Sequence, residues 1–501
     1  MFQLWLKEKG LRKVVDVFDD YLEKKPNGRA PGLDKQAFSK YRDDRDFLIK
    51  EAQIIFNKLT DRPKPRYVFT PFLQTHIPKE KSKPLSEDNS RPIAQATIRD
   101  SIVQMILLEY FEKKSGVRFV KTSYAYQRGK SPLKAAQAVR TAVNDGYVWV
   151  YDADLSKFFD TIPHNLLLSK ISERFPSDDA FLKLIEKFLK TKIRPIEKFS
   201  AREVQAIRGK VRSGKYCRVR DIDNPNVGIP QGGILSGYLA NLFLHEFDLK
   251  FTKHELFRYV RYADDFVVMG KSEKDIRSIE TWIESELQAL GVTLNKKKTE
   301  IRCERDYPEI SHKPGFAFVG FVFRNGTILA KQKNIERFVE KIRTLVLYEK
   351  TTETERRKAK YKYDLYKYSD NCFRLMGQPP SRYENKGIYL SSKQWLSQLA
   401  FKYYLDEVLE FFTEKFDEQG VLVQYSWLSY FHMINDPAQI NYLTSIYKET
   451  LKAFFCLRFG WRPSDEIIGG YSNYKSFYKI FYGFVESKKR RNYVEVGCIE
   501  V

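Results

Sequence analysis

The pattern of hydrophobic and polar positions changes near residue 331 of this 501-residue chain. Before that point, short apolar runs typical of strands alternate with segments of helical spacing; after it, the spacing is helical almost throughout. Helices are predicted at 1–25, 35–60, 96–114, 164–175, 179–190, 237–251 and 274–291. Strands are predicted at 147–155, 292–301 and 316–323, with a hairpin at 258–269 and a pair of strands at 67–79. This order predicts an α/β (α+β) fold followed by a helical C-terminal part.

The predicted hairpin carries two adjacent carboxylates, Asp264 and Asp265, inside the otherwise apolar sequence RYADDFVVMG. A turn explains the position, because Asp is common in turns. It does not explain the doubled charge, since neighbouring carboxylates repel each other and one stays protonated unless a cation is present. The more specific interpretation is that the pair binds a divalent ion such as Mg²⁺, which takes oxygen ligands. On this pair alone, a turn and a metal site both stay open.

A third carboxylate, Asp154, lies at the end of the strand predicted at 147–155. If this strand lies beside the hairpin, Asp154 can meet the aspartate pair. Three carboxylates can hold two Mg²⁺ ions, one that activates an attacking hydroxyl and one that holds a triphosphate. Each acid taken singly could instead be a solvated strand end or a helix N-cap.

Composition narrows the class of protein. Lys and Arg number 87 against 64 Asp and Glu, and the net charge of +23 favours nucleic acid as a partner, with or without enzyme activity. The five cysteines are scattered without a CxxC pair, so neither a zinc site nor a disulfide framework is expected. No apolar run is long enough to span a bilayer, and the N-terminus lacks the apolar core of a signal peptide. A cytoplasmic protein without membrane association is therefore expected.

Eight sequence blocks in a fixed order resemble those of reverse transcriptases, the RNA-templated DNA polymerases with a right-hand fold. The blocks are GLDK (32–35), IPK with RPIA (77–94), SYAYQRGKS (123–131), DLSKFFDTIPH (154–164), GIPQGGILSGYLANLFLHEFD (228–248), YADD (262–265), LNKKKTEI (294–301) and FVGF (318–321). The resemblance is closest to bacterial group II intron-type enzymes. It implies α/β fingers and palm, followed by an α-helical thumb and a C-terminal domain.

Domain boundaries follow from the same resemblance. Residues 1–150 are expected to form an N-terminal extension and the fingers, and 151–330 the palm, with fingers and palm interleaved. Residues 331–459 are expected to form a helical thumb with an insertion at 347–423, followed by an aromatic and basic tail at 460–501.

The resemblance implies a metal site at the palm acids. Asp154 and Asp264 would be shared ligands of two Mg²⁺ ions, with Mn²⁺ as an alternative ion. Asp265 would assist, and Leu155 is a further metal-ligating position. Lys298 matches the general acid that protonates pyrophosphate, although it lies in a Lys triplet and could belong to a solvated face.

The resemblance also implies a nucleotide pocket. Lys79 and Arg91 match the positions that grip the incoming triphosphate. Phe159 matches the side chain that excludes a ribose 2′-OH, with an ordinary core residue as the alternative, and Gln231 would line the pocket. One departure is Gly237, where intron-type enzymes usually carry Pro.

The C-terminal part leaves three functions open. Neither a Cys/His-rich nuclease module nor RNase H-type acids are seen, which resembles bacterial defence-associated reverse transcriptases. That resemblance implies a structured non-coding RNA as template, dNTPs, a cDNA product and a homo-oligomer. The alternatives are an intron-type maturase without the endonuclease and a non-catalytic RNA-binding scaffold.

A priming hydroxyl is predicted at Tyr493, which follows four consecutive basic residues near the end of the sequence. Terminal segments are often mobile, so this phenol could reach the metals. The alternative is a plain RNA-binding tail, because basic runs near termini usually mark contact with nucleic acid.

Overall fold

The computed structural model describes residues 1–23, 31–61, 63–79, 89–195, 226–305, 315–346 and 433–443, with short pieces at 25, 86, 415–416, 422–424 and 445–446. The chain divides into two compact units, Met1–Pro314 and Gly315–Val501.

The first unit mixes helices and short strands. Its helices are α1 (Phe2–Glu23), α2 (Phe38–Asp43), α3 (Arg45–Thr60), α4 (Ile98–Lys114), α5 (Pro132–Asn144), α6 (Phe158–Thr161), α7 (His164–Arg174), α8 (Asp179–Leu189), α9 (Ser236–Phe251) and α10 (Glu273–Ala289). Its strands are β1 (Phe72–Pro78), β2 (Ser90–Gln95), β3 (Trp149–Asp154), β4 (Ile193–Pro195), β5 (Arg258–Tyr262), β6 (Asp265–Gly270) and β7 (Glu300–Cys303).

A four-stranded antiparallel sheet in the order β5-β6-β3-β7 lies at the centre of this unit. Its central strands are apolar and buried on both faces, because helices and loops cover them. Helix α10 packs on β3 and β6. The helix begins with a capping box between Ser272 and Asp275, and Ile276, Ile279 and Ile283 are buried at helical spacing.

A second sheet, in the order β2-β1-β4, holds the β1–β2 hairpin. Aromatic side chains fill the core formed by α1, α4 and α8. Tyr110, Phe111 and Phe175 surround Phe181, with ring centroids 4.6–4.9 Å from it. This core supports the helices behind the sheet and is consistent with the mixed helix-and-sheet class expected from the sequence.

The predicted pair of strands at 67–79 is wrong: the structure has a single strand there, β1. The preceding residues are held by a helix instead of a partner strand. Tyr67 donates its hydroxyl hydrogen to the buried carboxylate of Asp100 on α4, and the backbone N–H of Thr70 donates to the same carboxylate. A side chain thus takes the place of a strand neighbour.

The strand predicted at 292–301 is mostly wrong, because only its end belongs to β7. Residues 293–295 pass the end of β3, and their backbone pairs with the residues that follow that strand. The N–H of Asn295 donates to the carbonyl of Asp154 at 2.7 Å, and Ser156 donates to Thr293 at 2.7 Å.

Helix α5 was not predicted, although Ser131 caps it and Pro132 occupies its first turn. The prediction of helices after residue 331 is partly wrong, since strands β11 (Lys415–Phe416) and β12 (Leu422–Gln424) form an antiparallel pair. Strands β8 (Phe316–Phe318) and β9 (Phe321–Arg324) and helix α11 (Gln332–Val346) lie where apolar spacing places them. None of the described helices is long and apolar enough to cross a membrane.

The second unit contains a three-stranded meander in the order β10-β9-β8, in which β10 is Thr327–Ala330. Two later side chains cover the outer edge of β10. Asn435 accepts from the N–H of Ile328 at 2.5 Å and donates its own backbone N–H to the carbonyl of Ile328 at 3.2 Å. Gln439 accepts from the N–H of Ala330 at 2.8 Å and donates to its carbonyl at 3.1 Å. Amide side chains thus act as a fourth strand.

The isosteric variant Gln439→Met tests this edge. Losing both partners of Ala330 leaves two backbone groups unpaired, and we expect amide hydrogen exchange at Ala330 to accelerate about tenfold. Exchange is measured by mass spectrometry on the full chain. The matched control is Ile440→Met at the next, exposed position, which should leave the exchange rate unchanged. Equal rates in both variants would contradict the edge function of Gln439.

Candidate active site

The three acidic residues singled out from the sequence meet at one end of the central sheet. Strands β3 and β6 pair in a register that sets Asp154 opposite Asp265. Asp264 lies in the turn between β5 and β6, and its carbonyl accepts the N–H of Leu155 at 3.3 Å. Ala263 adopts a left-handed conformation with φ of 59°, which makes this turn tight. The predicted neighbourhood of the strand and the hairpin is confirmed.

The electrostatics of these acids show mutual repulsion. Desolvation by the surrounding protein, followed by a hydrogen bond with the Asp154 carboxylate, raises the pKa of Asp265 well above its ordinary value, although its side chain keeps an exposed edge. Desolvation and the charge of Asp154 also raise the pKa of Asp264. Both shifts disfavour full ionisation of the cluster, which is the condition that a bound cation relieves.

The acids fit a divalent ion by donor chemistry and position. All donors are oxygen atoms, as Mg²⁺ requires. The side chain of Leu155 is apolar and buried, so that only its backbone carbonyl can act as a ligand. In the described ranges, no three acidic, imidazole or thiol side chains stand close enough to form a finished metal site.

Lys298 lies at the acids, as the resemblance implied. Its Nζ is 2.9 Å from Oδ2 of Asp154. Desolvation lowers its pKa, but this hydrogen bond and the surrounding carboxylates outweigh it, so the net shift is upward. Asn295 was not singled out from the sequence, although its side chain donates to the same oxygen at 3.1 Å.

The nucleotide-binding candidates lie on segments that are joined to one another. Arg91 is on β2, is exposed, and its charge lowers the pKa of Asp264. Three residues further on, the N–H of Ala94 donates to the carbonyl of Gln231 at 2.7 Å. Lys79 follows β1 and is exposed, and its N–H donates to the carbonyl of Asn89 at 3.1 Å. The loop at 228–233 is thereby fixed against the β1–β2 hairpin.

Phe159 is half-buried and packs edge-to-face against Phe158 and Tyr126, with centroid distances of 5.8 and 6.2 Å. Its carbonyl accepts the N–H of Ile229 at 2.7 Å. Phe158, not Phe159, is the core residue of this pair, with 2% of its surface exposed. Phe159 therefore keeps part of its surface exposed.

A fully buried ion pair lies directly behind the turn that carries Asp264. Arg261 binds Asp248 through two hydrogen bonds of 2.8 and 2.5 Å. Its Nη1 also donates to the carbonyl of Ala263 at 2.8 Å and to the side chain of Asn241 at 3.2 Å. Tyr259 completes the network with a hydrogen bond to Asp248 at 2.6 Å. The network therefore fixes the backbone immediately before Asp264.

Several predicted positions lie outside the described residues. They are Tyr493 with the rest of the 460–501 tail, and most of the expected thumb insertion at 347–423.

Comparison with known families places these observations in a class. Residues 77–323 match the family model described as reverse transcriptase (RNA-dependent DNA polymerase). This range contains the acids, the β1–β2 hairpin and the 228–233 loop. Residues 77–323 are therefore a reverse transcriptase domain, and its enzyme class is RNA-directed DNA polymerase.

Individual relatives are similar at low identity. Protein YkfC of Escherichia coli is 27% identical over 311 residues, which cover 54% of this chain and 71% of that protein. The group II intron-encoded protein LtrA of Lactococcus lactis is 24% identical, and the match covers 52% of this chain and 49% of that protein. A putative COX1/OXI3 intron 1 protein of Saccharomyces cerevisiae is 26% identical, and the match covers 48% of this chain and 32% of that protein. The chain thus spans about half or less of these two intron proteins.

Solved structures give weaker likenesses. A telomerase from Candida albicans with a fragment of telomeric RNA has a TM-score of 0.37 at 13% identity, with 79% of this chain and 64% of that chain covered. A partial Cas6-RT-Cas1–Cas2 complex has a TM-score of 0.28 at 21% identity, with 56% and 40% covered. Both scores are too low to support a statement about this chain.

The ion pair behind the turn predicts a stability and an activity effect. Arg261→Met leaves Asp248 buried without its cation, so we expect a loss of about 3–5 kcal/mol, which lowers the unfolding temperature of the first unit by roughly 10 °C. The matched control is Arg258→Met, an exposed position on the same strand, with a shift of no more than about 2 °C. Differential scanning fluorimetry measures both.

The double variant Arg261→Met with Asp248→Asn separates folding from turn geometry. It removes the uncompensated charge, so most of the stability should return. The hydrogen bond to Ala263 stays absent, so DNA synthesis should stay reduced. Recovery of both properties together would contradict a positioning function for Arg261.

Proposed function

We propose that this protein copies RNA into DNA, using divalent ions held by Asp154, Asp264 and Asp265. One observation carries the proposal: within a reverse transcriptase domain, the three acids converge at the end of paired strands whose register sets Asp154 opposite Asp265. The carbonyl of Leu155 is the further oxygen at this position. When bound, Mg²⁺, or Mn²⁺ in its place, would activate the primer hydroxyl and neutralise charge on the phosphates.

The remaining site residues have distinct proposed functions around the incoming dNTP. Arg91 and Lys79 bind triphosphate oxygens, for which a planar guanidinium is well suited. Gln231 lines the base side of the pocket. Phe159 excludes a ribose 2′-OH by volume. Lys298, already within reach of the acids, carries the proton for the pyrophosphate leaving group.

The double variant Asp264→Asn with Asp265→Asn tests the catalytic proposal. Losing two anionic oxygen ligands should lower primer extension on an RNA template by at least about a thousandfold. The matched control is Asp145→Asn, which removes an exposed carboxylate at the opposite end of β3 and should extend normally. Thermal unfolding establishes that both variants fold.

Two outcomes would redirect the function. Undiminished extension by the double variant would contradict catalysis at these acids. Full biological activity in cells without any extension would favour the alternative in which the domain is an RNA-binding scaffold.

For the biological setting, we propose a structured non-coding RNA as template, with the cDNA acting in defence against phage and the protein working as a homo-oligomer. The net charge of +23 supports RNA binding. The intron-encoded relatives support a second candidate, a maturase that binds its host intron. Tyr493 is the proposed source of the priming hydroxyl, with an RNA-binding tail as the alternative.

Sequencing the nucleic acids that co-purify with the protein separates these settings. A defence enzyme should retain one compact non-coding RNA together with complementary DNA, whereas a maturase should retain ribozyme domains. A phage-plating assay with the active protein and the Asp264→Asn, Asp265→Asn variant is the matched test. Equal plaque numbers for both across a broad phage panel would contradict the defence proposal.

Protein priming has its own readout. DNA that stays attached after denaturation and protease digestion should carry a peptide containing Tyr493. The absence of nucleotide on this tyrosine by mass spectrometry would contradict the priming proposal.

A further inference from the structure

Tyr126 combines two properties that are unusual for a large side chain. Its backbone is left-handed, with φ of 55°, and 53% of its surface is exposed. A bulky residue rarely adopts this conformation, and it persists only where the surroundings enforce it. The proposed function assigns no task to this residue.

The surroundings that hold Tyr126 come from the catalytic sheet and the helix behind it. The N–H of Tyr124 donates to the carbonyl of Arg261 at 2.9 Å, and the N–H of Arg261 donates to Thr122 at 2.9 Å. The carbonyl of Ala125 accepts from the side chain of Asn241 at 2.8 Å. The segment before Tyr126 is thus fixed to β5 and α9.

The ring of Tyr126 occupies the space that a side chain at position 237 would need. A Cβ atom added to Gly237 would lie 2.5 Å from Cγ and 2.6 Å from Cδ1 of Tyr126. These ring atoms are close to the backbone, so a rotation of the distal ring would not relieve the collision. Gly in a helix is less favourable than Ala by about 1 kcal/mol, which indicates a packing reason for glycine in the first turn of α9.

The ring of Tyr126 also packs against Phe159, with ring planes 81° apart and centroids separated by 6.2 Å. The ring also lies close to the acids, since desolvation and the charge of Asp264 raise the pKa of Tyr126 to about 12. Gly237, Tyr126 and Phe159 therefore form a continuous wall beside the catalytic turn.

We propose that Tyr126 is a specificity-determining residue: seated on Gly237, its ring braces Phe159 and sets how strongly the site selects dNTPs over rNTPs. The inference rests on the proposed function, in which Phe159 excludes the 2′-OH. Steric exclusion requires that the excluding ring cannot yield. Phe159 is only half-buried, so the Tyr126 ring packed against it must limit its rotation.

The test measures kcat/KM for dATP and for ATP on one RNA template and takes their ratio. Tyr126→Ala should lower the ratio roughly tenfold, mainly through better use of ATP. Gly237→Ala should change it in the same direction, because the new Cβ displaces the ring. Tyr126→Phe keeps the ring and should keep the ratio. The matched control is Tyr124→Ala in the same loop, which should leave the ratio unchanged. The Tyr124 ring packs under Lys130, whose Nζ is 4.4 Å from the ring centroid.

Coupling to Phe159 distinguishes a brace from a general loss of packing. Phe159→Ala should lower the ratio further, and adding Tyr126→Ala to it should have no additional effect. Unfolding temperatures are recorded for every variant, and a destabilised Tyr126→Ala is replaced by Tyr126→Leu.

The outcomes separate this inference from the function on which it rests. If the unmodified protein extends with dATP and Tyr126→Ala leaves the ratio unchanged, the brace is wrong and the proposed function stands. Additive effects of Tyr126→Ala and Phe159→Ala would likewise overturn it. If the unmodified protein extends with neither nucleotide, the proposed function fails and the inference fails with it.

Discussion

The register between β3 and β6 is the constraint on which the candidate active site depends. Six consecutive residue pairs run from Trp149 opposite Gly270 to Asp154 opposite Asp265. Side chains alternate between the two faces of a strand, so a slip of one residue would move Asp154 to the other face. Both strands are buried on both faces, so a slip would also exchange side chains of unequal volume, such as Val150 and Tyr151, within a closely packed core. The apolar sequence of the strands therefore determines the geometry of the acids at their end.

Holding three carboxylates together is unfavourable, and the structure places its compensating charges accordingly. Lys298 and Asn295 contact Asp154 from the loop after α10, and the charge of Arg91 acts on Asp264 from the β1–β2 hairpin. Behind the turn, the buried Arg261–Asp248 pair contacts the backbone and none of the acids. Its positive charge is matched locally, so it can orient the turn and leave the carboxylates free for a cation.

Features that depend on residues close together in the chain could be predicted from the sequence. Features that depend on contacts between distant segments of the chain could not. The apolar strands and helix α10 followed from local patterns. The meeting of Asp154 with the aspartate pair was expected only on the condition that its strand lies beside the hairpin. Arg261, Asn295 and Tyr126 carried no such signal, because their contacts join segments far apart in the chain. The pair of strands predicted at 67–79 was wrong for the same reason, since Asp100 on a later helix takes the place of a neighbouring strand beside residues 67–70. Strand β10 was too short to show a period, and its outer partners come about a hundred residues later.

The departure at Gly237 and the backbone of Tyr126 explain each other. A glycine in the first turn of a helix forgoes helix stability, and a tyrosine in the left-handed region is strained. Separately, each feature is unfavourable. Together they let the tyrosine ring lie on the helix backbone and reach Phe159, which neither could achieve with an ordinary residue at the other position. Two locally unfavourable features thus join the loop at 122–130, the start of α9 and the segment after β3.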